Sequence, residues 1–181
     1  MKRKICVLAL ALFSIPIFGQ KDSNDSIVMM PSKNIVLGYH IGVVQPIATV
    51  KGGQWSHVFD YDVYSLGFPI GLTLKTSCKL KVDLEMVSFI QPALENNKNF
   101  GVHLLWHPGV LLPLNHGFTL GLRLAFESGQ SMFGYTFLIN KSFKIGPNTN
   151  YFIEFVAPTR FGPNDKSQTV QIFALHTGFG F

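Results

Sequence analysis

Residues 64–75, "YSLGFPIGLTLK", read differently on their two alternating sets of positions. Tyr64, Leu66, Phe68, Ile70, Leu72 and Leu74 are large and apolar, whereas Ser65, Gly67, Pro69, Gly71 and Thr73 between them are small or polar. A strand sends successive side chains to opposite faces, so a period of two makes one face oily and the other small. A helix would scatter both sets around its circumference.

The same alternation recurs on either side. "FTLGLRLAFE" sets Phe118, Leu120, Leu122, Leu124 and Phe126 against Thr119, Gly121, Arg123, Ala125 and Glu127, and "KLKVDLEM" sets Leu80, Val82, Leu84 and Met86 against Lys79, Lys81, Asp83 and Glu85. Weaker copies cover residues 35–44, 100–112, 132–143, 151–157 and 170–181, and no stretch of about ten residues shows a helical period, which predicts an all-β chain of about eight strands. The connections alternate between short and longer, with "ESGQS" as the exception, as in barrels with tight turns at one end and loops at the other. Pro69 and Pro108 fall inside predicted strands, where a missing N–H predicts a bulge or a shifted register.

Which face is inside follows from volume. The oily face carries roughly three dozen large side chains, more than the interior of an eight-stranded barrel can hold. The other face is rich in glycine (Gly38, Gly42, Gly67, Gly71, Gly101, Gly109, Gly121, Gly134, Gly178 and Gly180), which weakens a water-facing strand but suits a crowded lumen. The oily face is therefore predicted to meet lipid and the small polar face to fill a closed antiparallel up-and-down transmembrane barrel, the all-β form that leaves no backbone group unpaired in hydrocarbon. Aromatics then fall into two girdles. Phe118, Phe143, Tyr151, Phe179 and Phe181 mark one end, and Tyr61, Tyr64, Phe126, Phe133 and Phe173 the other.

Residues 1–20, "MKRKICVLALALFSIPIFGQ", have a basic start, a short apolar run and a small residue before a polar stretch, the layout of a cleaved signal peptide. The apolar run is too short for a membrane-spanning helix. Residues 21–34 read as a polar periplasmic leader and 35–181 as the barrel. Of 15 Lys and Arg, three (Lys2, Arg3, Lys4) leave with the signal and none of the 10 Asp and Glu do, leaving 12 against 10. A balance of about +2 without a basic run gives no reason to expect nucleic acid as a partner. Cys78 is then the only cysteine, so no internal disulfide forms.

With its signal segment, its amphipathic strands and a last strand ending "FALHTGFGF", the chain resembles the small eight-stranded outer-membrane β-barrels of the OmpA/OmpX type. "GFPIGLTLK", "NKSF" and "LHTGFGF" also resemble uncharacterised exported barrels of that kind. The resemblance implies a monomer in the outer membrane of a Gram-negative bacterium, with membrane lipid as its surroundings. It also implies that the terminal aromatic, Phe181, is read by the barrel assembly machinery.

The inward face holds Lys81, Asp83, Glu85, Arg123, Glu127 and Glu154 with several histidines. Charges in a dry interior must be matched, so these read first as a salt-bridged plug with Arg123 paired to Asp83 or Glu85. His40 and His176 lie at similar heights on the first and last strands, which meet when the barrel closes, and Glu154 is one strand away. Two histidines and a carboxylate could hold zinc or relay protons, but without motif spacing the sequence gives no reason to assign a metal or cofactor. Some small barrels modify lipids with Ser, His and an acid. Here Ser128, Ser131, Glu127 and His176 set up no nucleophile, base and orienting acid, and no catalytic residue is assigned. A lipid-modifying enzyme and a periplasmic lipocalin-like carrier remain the alternatives to a structural, surface or small-solute barrel.

Overall fold

A computed structural model describes residues 37–60, 65–76, 78–91, 101–128, 132–162 and 169–181. The expected signal peptide and leader, Tyr61, Tyr64 and Ser131 lie outside the described residues. The strands are β1 (Leu37–Lys51), β2 (Gln54–His57), β3 (Leu66–Lys75), β4 (Lys81–Gln91), β5 (Gly101–Pro113), β6 (Phe118–Ser128), β7 (Met132–Lys144), β8 (Asn150–Phe161) and β9 (Thr169–Gly180).

Every long strand pairs antiparallel with its neighbour in the order β1-β3-β4-β5-β6-β7-β8-β9, and β9 returns to β1, so eight strands close into a barrel. The closing seam runs from His40 opposite Gly180 to Lys51 opposite Val170. At its end the Tyr39 N–H donates to the Phe181 carbonyl at 3.1 Å, and the Phe181 N–H to the Tyr39 carbonyl at 2.8 Å. Closure removes the sheet edges that would otherwise carry unpaired backbone groups.

Two strands are longer than their sequence pattern suggests. β1 continues past Val44 to Lys51, where Gly52 and Gly53 (φ 57° and 79°) turn it into β2. Two consecutive positive φ values suit the twist of a two-residue hairpin, and glycine adopts them without strain. β8 runs on through Pro158 to Phe161 rather than ending at Ala157.

The prolines correct a second expectation. Pairing of β3 with β4 passes straight through Pro69 opposite Val87, and β4 with β5 through Pro108 opposite Leu84. Neither site shifts register. Pairs are missing only on the other side of each proline, toward β1 and toward β6. A strand residue points its N–H toward one neighbour, so each proline weakens one ladder and spares the other. The bulge lies instead in β1 between Pro46 and Ala48, facing β9. The extra residue, Ile47, bonds the Val58 N–H beyond β2 at 2.8 Å.

The outer surface carries the oily face. Ile41, Ile70, Leu84, Leu122, Phe137 and Phe155 are all exposed mid-barrel, an apolar band far beyond what a soluble monomer presents. At the end with the short turns, Phe143, Tyr151 and Phe179 follow one another at ring distances of 6.4 and 5.8 Å. At the loop end Phe126, Phe133 and Phe161 do so at 5.6 and 6.3 Å, and Trp55 of β2 stacks on Phe173 at 5.9 Å. These rows are the two girdles. Phe137 stands midway between them on β7, opposite Leu122 and Ala157. Phe137→Arg should therefore lower the stability of the refolded barrel in lipid vesicles by about 2–4 kcal/mol, read from denaturant titration; an unchanged midpoint would argue that this face is not in hydrocarbon.

Candidate functional site

The lumen is filled in two layers, and the strand alternation sets both. Along β1, β4, β5, β6, β8 and β9, one inward position holds Gly42, Glu85, His107, Arg123, Glu154 and His176. Two residues nearer the loop end on the same strands come Val44, Val87, Leu105, Ala125, Val156 and Ala174. These six form one buried apolar cluster together with Leu138. An ionic layer thus lies directly beneath an apolar one.

Arg123 is the centre of the ionic layer. Its Nε donates to Asp83 Oδ2 at 2.8 Å, and one terminal nitrogen donates to Glu85 Oε1 and Glu154 Oε1, each at 3.1 Å. Asp83 is 0% exposed and Arg123 3%, so these pairs are shielded from water. Thr73 donates to the second Asp83 oxygen at 2.8 Å, and Asn140 to the second Glu154 oxygen at 3.2 Å. Three histidines complete the layer: His40 Nε2 and His107 Nδ1 each lie 3.1 Å from a Glu85 oxygen, and His176 Nδ1 lies 3.0 Å from Glu154 Oε1.

Glycines on the neighbouring strands make room for these side chains. A Cβ on Gly71 would lie 1.9 Å from the His40 ring, one on Gly42 2.6 Å from His176 Nε2, and one on Gly109 2.5 Å from Arg123 Cγ. These three side chains each cross a bare backbone. This is the physical use of the glycine-rich face, in an interior only wide enough for side chains.

Of the residues singled out in the sequence, His40, Asp83, Glu85, Arg123, Glu154 and His176 meet in this layer. Lys81 does not; it is half-buried at the mouth of the turn end, opposite Lys75. Glu127 lies nearer the loops, 3.9 Å from His103. Ser128 donates to the Leu104 carbonyl at 3.1 Å, and Thr177 to the Phe152 carbonyl at 3.0 Å, with the Thr177 and Tyr151 hydroxyl oxygens 2.7 Å apart. Cys78 is exposed in the β3–β4 turn.

Two functional residues escaped the sequence reading. His107 was hidden because Pro108 blurred the alternation of its strand, although Leu105 and Leu111 on either side already set its face. Arg160 lies beyond residue 157, where the sequence pattern of its strand ends. It is buried, donating to His107 Nε2 at 3.1 Å and to Thr136 Oγ1 at 3.3 Å.

No protein-family model and no curated protein matches the chain. Among solved structures, Neisserial surface protein A is similar over 80% of this chain and 95% of its own, at 11% identity and a TM-score of 0.55. Ail, the attachment invasion locus protein of Yersinia pestis, is similar over 80% of this chain and 97% of its own, at 14% identity and a TM-score of 0.48. The closed eight-stranded architecture is that of the first of these: the chain has the fold of a small eight-stranded outer-membrane β-barrel. At such identity the fold is what is shared, and the ionic layer is described from this chain alone.

Proposed function

We propose that the barrel is a non-conducting surface protein of a Gram-negative outer membrane, which holds its β1–β2 hairpin and loops at the outer face and passes no solute. The supporting observation is the two-layer plug. A guanidinium tied to three carboxylates closes the lumen, and a disc of Val44, Val87, Leu105, Ala125, Val156 and Ala174 seals it on the loop side. Ions would have to break buried pairs and then cross a dry apolar layer. In this reading residues 1–20 are removed on export, residues 21–34 lie in the periplasm with the short turns, and a single chain suffices. Lipid-modifying chemistry has less support: among the described residues, Ser128 and Thr177 give their hydroxyl hydrogens to carbonyl oxygens rather than to a histidine base.

The test is a planar-bilayer recording on barrel refolded to the heat-modifiable form. No stepwise conductance is expected; reproducible single-channel steps would overturn the reading. The β1–β2 hairpin, anchored by Trp55 on Phe173, should be cleaved by protease added to intact cells, whereas the turn-end segments should be spared. Phe181 would serve the assembly machinery through its ring, since its backbone bonds to Tyr39 do not need one. Phe181→Ser should accordingly lower the membrane-inserted fraction in cells while leaving detergent refolding intact, and equal insertion in cells would remove that assignment.

A further inference from the structure

The two ends of the barrel carry charge differently. Among the described residues the turn end shows Lys75, Lys79, Lys81, Lys141 and Lys144 with no exposed Asp or Glu side chain. Asp83, one inward step above Lys81, is fully buried and bonded to Arg123 and Thr73. The loop end instead mixes Lys51 with Asp60 and Glu127. Lys75 and Lys81 even stand directly opposite each other across β3 and β4, an unfavourable placement without a counter-charge. The described surface at this end supplies none, so its complement is an anion from outside.

One of these lysines belongs to the lipid-facing set. Along β7 the outward positions run Phe137, Ile139, Lys141, Phe143, so Lys141 emerges among apolar neighbours. Its ammonium lies 4.4 Å from the centre of the Phe118 ring and donates to the His116 carbonyl, which takes one of its three N–H donors. A cation on a lipid face is tolerated near the interface, where headgroups are within reach. On the other side of the β5–β6 turn, Lys79 lines a cavity of about 600 Å³ with Leu112, Pro113, Asn115 and the same Phe118.

Leu112 also borders a groove of about 460 Å³ on the outer wall, whose lining runs from Leu80 at the turn end through Leu120 and Leu122 to Phe137 and Ala157. Two small residues hollow it: Gly121, and Ala157 opposite Phe137. The stagger of the barrel sets its direction. Paired residues followed strand by strand from Ile41 end at Thr169, the loop end of β9, although Ile41 itself faces Phe179 at the turn end across the seam. Each step toward a higher strand number therefore climbs toward the loops. Crossing from Leu80 to Ala157 on β8, the groove rises from the turn-end interface to mid-barrel, the depth of one leaflet.

We infer that this face is a seat for one anionic glycerophospholipid, with its phosphate between Lys79 and Lys141 and an acyl chain in the groove. A hollow one leaflet deep, apolar along its length and cationic at its membrane-surface end, has the shape and charge of that molecule. The inference rests on the outer wall facing lipid and on the turn end lying at the periplasmic leaflet, but not on the sealed lumen. The surface role fails by conductance and the lipid seat by lipid selectivity, so the two are separable.

The experiment refolds the full-length barrel in micelles doped with equal amounts of phosphatidylglycerol and phosphatidylcholine of the same chains. Retained lipid is read by native mass spectrometry, with heat-modifiable mobility confirming the fold. Each lysine near a membrane surface is worth about fivefold toward an anionic lipid, so one phosphatidylglycerol should be retained per barrel with at least about tenfold preference. Lys79→Gln combined with Lys141→Gln should bring the ratio near one, whereas Lys51→Gln at the loop end should leave it unchanged. Ala157→Phe, which fills the groove, should lower phosphatidylglycerol retention with both lysines intact; if that variant does not fold, the lysine pair decides. The inference is overturned by equal retention of the two lipids or by wild-type preference in the folded double-lysine variant. Undiminished retention by a folded Ala157→Phe barrel, or stronger retention of lipid A than of phosphatidylglycerol, overturns it as well.

Discussion

Arg123→Met should abolish accumulation of the folded barrel. Breaking one buried ion pair by removing a partner costs about 3–5 kcal/mol, because the other charge is left desolvated and alone. Arg123 is the common partner of Asp83, Glu85 and Glu154, at 2.8, 3.1 and 3.1 Å, so its loss strands three carboxylates at once. Methionine fills similar volume without the charge, which separates electrostatics from packing. Its heat-modifiable fraction should fall to near zero under conditions that refold the wild type, and the urea midpoint of any residue should drop. Adding Asp83→Asn and Glu154→Gln to Arg123→Met should recover part of the folded fraction, since two stranded charges become neutral amides. Arg123→Lys should be intermediate, because an ammonium keeps the charge but lacks the guanidinium fork that now spans three carboxylates. Near-normal folding of Arg123→Met would show that the lumen tolerates unpaired carboxylates and would defeat the account of the plug.

Gly178→Leu should prevent closure. Gly178 lies on β9 opposite Gly42 in the seam, and a Cβ there would sit 2.1 Å from the Ile41 carbonyl oxygen and 2.7 Å from Gly42 Cα. Those neighbours are backbone. Overpacking among side chains costs about 1–3 kcal/mol because rotamers give way, whereas here two hydrogen-bonded strands must separate. The penalty should exceed that range and appear as loss of the heat-modifiable form. Gly38→Ala offers the contrast. It lies on the inner face of β1 near the same seam, but its added Cβ meets nothing nearer than 3.6 Å, so folding should be close to normal. If Gly178→Leu closes as well as Gly38→Ala, the seam is looser than its geometry indicates.

Much of the architecture was legible in the chain. Clean alternation at residues 64–75 and 118–127 marked strands with unlike faces, and the volume of the oily face required it to point outward. Strand ends were less legible where local chemistry and pairing disagree. Pro158 reads as a stop but sits within β8, because its missing N–H falls on one ladder while the other is kept. "KGGQ" carries the two-glycine signal of a hairpin, but it lies beyond residue 44, where the sequence pattern of the first strand ends.

The candidate site was legible only as a list of inward charges. Period two assigns a residue to a face but not to a height, and partners on different strands meet according to register and the stagger of the closed barrel. The pair Asp83 and Glu85, then Arg123, Glu154 and His176 are separated by about twenty residues or more along the chain yet share one layer. Ser128 and Glu127, equally polar, stand above it. His107 and Arg160 join it although neither drew attention in the sequence.

The sequence by itself determined that this protein would be a closed barrel with an oily outside, since only closure satisfies both the backbone and so large an apolar face. Tertiary structure alone decided that one guanidinium would serve three carboxylates and that an apolar disc would seal them. Those outcomes depend on how far each strand is shifted against the next. Register is set by pairing around the whole ring, and no single strand's sequence contains it.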